Sequence, residues 1–127
     1  MVLGPSAYLV NKWLDATFNN VSFVVAQAYL KLHLADPGAT GINAPATYTT
    51  RPLVSFGNAS GGVVLNDVQV QITSITGSED ASHYSLWDAS TAGNYLGSGI
   101  INANAYTAGD TLTFAVGAIS IALTVAS

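Results

Sequence analysis

From residue 29 onward, apolar and polar side chains alternate with a period of two in short runs, and turn residues interrupt every run. A strand projects successive side chains to opposite faces, so this pattern selects half-buried β-strands over helices. Over 29–35, Leu30, Leu32 and Leu34 fall on one face, and Tyr29, Lys31 and His33 on the other. Over 68–74, Val68, Val70 and Ile72 alternate with Gln69, Gln71 and Thr73; over 83–88, Tyr84 and Leu86 alternate with His83, Ser85 and Trp87. Near the end, Leu112, Phe114 and Val116 share a face, as do Ile119, Ile121, Leu123 and Val125. Gly117-Ala118 between those two runs predicts a hairpin turn.

The punctuation is equally regular: DPGATG at 36–41, GNASGG at 57–62, ASTAGN at 89–94 and NANAYTAGD at 102–110. Short alternating strands divided by such turns predict a mainly β fold, an antiparallel sandwich or barrel of about seven or eight strands. Ahead of it, Val10, Leu14 and Phe18 recur at spacing four, with Leu9 and Trp13 beside them and Lys12, Asp15 and Asn19 elsewhere. That spacing predicts one N-terminal amphipathic helix over 6–18, with Pro5 and Ser6 at its start and Asn19-Asn20 at its end. No boundary or internal repeat divides the chain, so 1–127 reads as one domain, helix 6–18 followed by a β-sandwich over 23–127.

Charge is scarce. Only 8% of residues are charged and 50% are hydrophobic, against about 25% charged in ordinary soluble domains. A free monomer normally carries more charge on its surface, so this composition predicts assembly, with a homo-oligomer expected. Three Lys or Arg against seven Asp or Glu give a net charge of -4. Lys12, Lys31 and Arg51 are scattered along the chain, which argues against nucleic-acid binding. The uncharged stretch TLTFAVGAISIALTVAS at the end is 17 residues long with Thr and Ser interspersed, which suits strands better than a membrane span of about 20 apolar residues. MVLGPSAYLVNKWLDATF lacks the cationic start and unbroken apolar run of a secretory signal.

Hydrolytic chemistry needs a nucleophile with a base, or two convergent carboxylates. His33 lies on the polar face of its run, where a solvent-side or interface role outweighs general-base work. Asp36, three residues on, projects to the opposite face and reads as the start of a turn, with its carboxylate on backbone N–H groups and Pro37 setting φ. His83 stands near Glu79 and Asp80, where loop solvation outweighs a metal or pH-sensing role. Glu79, Asp80 and Asp88 lack the spacing of a Ca²⁺ loop, cysteine is absent, and GNASGG lacks the Lys-Ser/Thr of a phosphate loop. Asn20-Val-Ser22 and Asn58-Ala-Ser60 match a glycosylation sequon with no secretory context to use it. The dispersed Trp and Tyr residues suit core and interface packing better than a carbohydrate platform. No catalytic, cofactor-binding or metal residues are expected, and no cofactor.

Several segments together resemble a family of small virion proteins of tailed bacteriophages, especially phages of actinobacteria. The helix Ser6-Ala-Tyr8-Leu9-Val-Asn11-Lys12-Trp-Leu14-Asp15 is followed by Leu32-His33-Leu-Ala35-Asp36-Pro37-Gly38-Ala-Thr40-Gly41. Tyr48-Thr-Thr-Arg51 then leads into Val54-Ser-Phe56-Gly57-Asn-Ala59-Ser60-Gly61-Gly62, with one extra residue between Tyr48 and Arg51 relative to the family pattern. HYSLWDA and the Gly and Leu positions after it, over 83–97, and AGDTLTFAVGA at 108–118 complete the likeness. The resemblance implies a non-enzymatic structural protein of the virion. The favoured place is the capsid exterior, as a minor capsid or decoration protein in many copies bound to the major capsid protein. The alternative is a tail fibre, tail-tip or tube-associated module that contacts host glycans or other virion proteins. Tyr8, Lys12, Trp13, His33, Arg51 and Trp87 are the expected assembly contacts.

Overall fold

The computed structural model describes residues 3–102 and 105–126. It is mainly β, with one helix, ten strands among the described residues, antiparallel pairing throughout and no closed barrel. The helix α1 spans Ala7–Phe18. The strands are β1 (Ala28–His33), β2 (Leu53–Val54), β3 (Val63–Leu65), β4 (Val70–Ile72), β5 (Glu79–Asp80), β6 (His83–Trp87), β7 (Tyr95–Ile100), β8 (Ala105–Tyr106), β9 (Leu112–Phe114) and β10 (Ser120–Ala122).

The central sheet has the order β2-β1-β6-β7, and three two-stranded ladders, β10-β3, β4-β9 and β5-β8, complete the fold. Register in the central sheet places Leu30 opposite Leu86 and Leu32 opposite Tyr84. Those four are buried, and Ile72, Ile75, Phe114, Ile119 and Ile121 from the flanking ladders and turns pack into the same core. Gly99 lies across from Tyr84, and a Cβ there would collide with the Tyr84 ring. The glycine therefore makes room for the phenol to cross the core. Tyr84 Oη then donates to the Ser120 carbonyl at 2.9 Å and accepts from the Ser120 N–H at 3.0 Å, stitching β6 to β10.

The free edge of β7 is closed by the chain's own N-terminal arm. Ser98 N donates to Gly4 O at 2.9 Å and Ser6 N to Leu96 O at 2.8 Å, which removes an edge that would otherwise pair with another chain. Ser6 is also the helix N-cap: its Oγ accepts from Leu9 N at 3.1 Å and donates to Tyr95 O at 2.6 Å. These bonds set the rotation of α1 about its axis, and with it which face is covered. Leu9 is buried and Trp13 half-buried, whereas Leu14 and Phe18 point to solvent. The stripe Val10–Leu14–Phe18 suggested by spacing four is thus not the core-facing one.

The hairpin expected at Gly117-Ala118 is corrected as well. A turn is there, with Ala118 N bonded to Ala115 O at 3.0 Å, but β9 pairs with β4 and β10 with β3. The buried Asn66 side chain accounts for the separation. Its Nδ2 donates to Val68 O and Ala115 O, each at 3.0 Å, and its Oδ1 accepts from Ile119 N at 2.9 Å. Of these, Ala115 O and Ile119 N are backbone groups that a simple hairpin would have had to satisfy across its own strands.

Candidate functional site

The second face of the central sheet carries Tyr29, Lys31 and His33 from β1 and His83, Ser85 and Trp87 from β6, in register. On a solvent-facing sheet surface these would be wet, but His33 and Ser85 are fully buried and Trp87 is buried. The cover is made of loops. Asp36 starts the first of them as the sequence suggests, its Oδ1 accepting from Gly38 N at 2.8 Å. Gly41, at φ +76°, brings that loop directly against the Tyr95 ring, a conformation and an approach that only glycine permits without strain.

Under this cover, His33 Nδ1 lies 2.7 Å from the Asn43 carbonyl, and Nε2 lies 2.7 Å from Ser85 Oγ. A carbonyl only accepts, so the proton resides on Nδ1, and Nε2 accepts from the serine hydroxyl. Ser85 Oγ in turn accepts from Trp87 Nε1–H at 2.7 Å. Burial holds the His33 pKa below the usual histidine value; the Asn43 bond opposes this, while the positive charges of Lys31, His83 and Arg51 add to the lowering. A serine hydroxyl on an imidazole has the form of a nucleophile–base pair. Both groups are sealed from solvent, however, and a carbonyl rather than a carboxylate orients the ring, so the pair holds two strands and a loop together. His33 and Asp36 are not joined: each is satisfied by its own backbone partner.

Arg51 sits over Trp87, its guanidinium carbon 4.4 Å from the ring centroid, while Tyr95 packs beside the indole at 5.5 Å. Arg51 Nη1 donates to Ala89 O at 3.0 Å and Ala92 O at 2.7 Å, pinning the turn after β6 to the sheet. Asp88 in that turn accepts from Asn94 N and Nδ2 at 2.7 and 2.9 Å. Beside Arg51 opens a cleft of about 470 Å³, lined by Lys31, Thr49, Thr50, Arg51, Ser90, Thr91 and Ala92. Burial lowers the pKa of both cations, and for Lys31 the neighbouring Arg51 lowers it further.

A second, apolar groove of about 690 Å³ runs between α1 and the sheets, with Leu9, Trp13, Phe23, Val25, Phe56 and Ile121 among its walls. Tyr8 meets Phe23 edge-on at 6.2 Å, and Lys12 Nζ stands 5.7 Å from the Tyr8 ring. Of the expected assembly contacts, Tyr8, Lys12, Trp13 and Arg51 keep accessible surface. His33 is fully buried and Trp87 buried within their own chain, in contrast to the surface position expected of them. The Trp and Tyr side chains are buried or half-buried, in keeping with their use in packing. Glu79 accepts from Thr47 N, Thr47 Oγ1 and Tyr106 Oη, while Asp88, in the turn after β6, accepts from Asn94, so of the carboxylates weighed for Ca²⁺ Glu79 and Asp88 are each engaged by protein donors. Among the described residues no group of three or more His, Asp or Glu gathers as a metal site, and no helix is long and apolar enough to cross a membrane. The Lys31–Arg51 cleft escaped sequence reasoning; the cations are twenty positions apart, and the only signal was that a charge-poor chain places both on one side of the fold.

A search of curated protein sequences returned no match. A family model described as podophage GP4 fiber I protein gp80 matches residues 4–122. It supports the phage-virion resemblance at that coarser level, without restricting it to phages of actinobacteria, and it speaks for a fibre rather than the capsid exterior. By a match that spans nearly its whole length, the chain belongs to the podophage GP4 fiber I protein family.

Proposed function

We propose that this protein is a non-enzymatic structural subunit of a phage tail fibre. The observation that carries the reading is the family match over 4–122. The surface supports it, since the apolar groove, with Leu53 on its wall, and the exposed Leu14, Phe18 and Val24 offer apolar area for contact with other virion chains. The first such partner is a second copy of this chain. Residues 22–27 belong to no helix or strand, and their backbone groups have no protein hydrogen-bond partner among the described residues. Their side chains nevertheless alternate, with Phe23 and Val25 turned inward and Ser22, Val24 and Ala26 outward. Such a segment can pair antiparallel with its own copy and form a closed two-fold contact.

Gold-labelled antibody against the protein, applied to intact particles and viewed by electron microscopy, tests the location. Label at the tail is expected. Label spread over the head in many copies would instead establish the capsid-decoration role and overturn the fibre reading.

A further inference from the structure

The chain has three cations in all, and two of them, Lys31 and Arg51, line one cleft. Among the described residues neither forms an ion pair. The carboxylate on the adjoining turn, Asp88, is held by Asn94, and Asp36 is held by Gly38. Two partly buried like charges repel each other; the Trp87 ring and two carbonyls stabilise Arg51, but among the described residues no carboxylate pairs with either cation. Arg51 is also prepared for a ligand. Its guanidinium rests over Trp87 and its Nη1 is used on Ala89 and Ala92, which leaves Nη2 and Nε without a protein acceptor among the described residues. A guanidinium immobilised in this way loses little entropy when it binds a planar or tetrahedral anion. The rest of the lining is hydroxylic: Thr49, Thr50, Ser90 and Thr91.

We infer that the Lys31–Arg51 cleft is a binding site for an acidic saccharide, with a carboxylate or phosphate seated between the two cations and sugar hydroxyls on the threonine and serine rim. The inference builds on the fibre reading for the choice of saccharide, because a fibre meets a cell surface. A cleft of about 470 Å³ falls within the 300–1,000 Å³ range of small-ligand sites. The pairing of fixed cations with hydroxyls suits a charged sugar better than an acidic peptide, whose neighbouring backbone would find no apolar wall to dry it.

Isothermal titration of the purified full chain at low salt tests the site independently of where the protein sits on the particle. Hexagalacturonate supplies the carboxylate, a phosphomannan fragment the phosphate, and maltohexaose and a hexaglutamate peptide serve as comparisons. At least one acidic saccharide is expected to bind, more weakly as salt rises, and the one that binds identifies the anion; maltohexaose and the peptide are expected not to bind. Lys31→Gln removes a charge that makes no hydrogen bond among the described residues and that Arg51 repels, so it should not lower the melting temperature but should weaken binding about tenfold. Arg51→Lys, which keeps the charge and loses the fork, should also weaken it. Silence from both acidic saccharides, unchanged affinity in Lys31→Gln, or equal binding of the peptide would overturn the assignment. Failure here would leave the fibre location, read by gold labelling, unaffected.

Discussion

His33 is neutral and satisfied on both ring nitrogens, which makes its burial dependent on pH. Protonation would turn Nε2 into a donor, and Ser85 Oγ would then face two donors, the imidazolium and Trp87 Nε1–H. The groups around the ring deepen the penalty, since Lys31, Arg51 and His83 all oppose a positive charge there. The folded pKa lies below the unfolded value of about 6.5, so the unfolded chain takes up the proton first as pH falls. The stability that His33 contributes is therefore complete above about pH 6.5 and declines below it, by at most about 1.4 kcal/mol per pH unit for one proton. Urea unfolding at successive pH values should show this decline between about pH 6.5 and 5. His33→Gln can still donate to Asn43 and accept from Ser85, and it should flatten that part of the profile. Equal slopes in the two proteins would show that His33 is not the titrating group. The alternation of β1 places His33 on the polar face by simple counting. That this face is roofed by loops is not periodic information, and so the residue expected at the surface lies fully buried.

At the level of elements, the strands with the longest alternation, β1 and β6, were legible from their period, as was the helix with its Ser6 cap. The ends of the chain were not. Leu112–Val116 and Ile119–Val125 with Gly117-Ala118 between them satisfy every local condition for a hairpin, yet each strand pairs elsewhere. The deciding residue, Asn66, sits 49 positions from one of its partners and 53 from another, and no local pattern reports such a contact. Asn66→Ala would leave Ile119 N and the Val68 and Ala115 carbonyls without their partner in a buried site. Each such orphan costs about 1–3 kcal/mol, so a loss of about 3 kcal/mol or more is expected, read as a lower urea midpoint at unchanged m-value. Asn66→Asp should fare no better, since a carboxylate keeps the acceptor for Ile119 N but turns negative charge toward two carbonyl oxygens. A loss under about 1 kcal/mol in the alanine variant would mean that the two turns hold their separate pairings without it. The anion cleft was illegible for a related reason: Lys31 and Arg51 meet only because β2 pairs with β1 and the turn after β6 folds under the guanidinium.

On the scale of the whole molecule, the shortage of charge and the exposed apolar side chains make one physical statement. Phe18 is 77% and Val24 85% exposed, and Phe23 and Val25, on either side of Val24 in sequence, line a groove among whose lining residues none is charged. Contact between two copies there brings no like charges together, despite a net charge of -4. Pairing through 22–27 would also satisfy backbone groups that have no protein partner among the described residues. The purified protein should therefore self-associate in sedimentation equilibrium, with the weight-average mass rising through the micromolar range. Val24→Asp places a charge at the centre of the contact, twice over in a two-fold pair, and should weaken association at least about tenfold. Because Val24 is exposed in the single chain, the same change should alter monomer stability by no more than about 0.5 kcal/mol, which separates lost assembly from lost folding. Phe18→Ser, on the adjoining end of α1, should act in the same direction. A wild-type protein that stays monomeric at about 100 μM, where even a weak apolar contact registers, or a Val24→Asp variant that associates as the wild type does, would remove this face from the assembly and leave other exposed apolar side chains, Leu65, Val116 and Leu123, as the surface to probe.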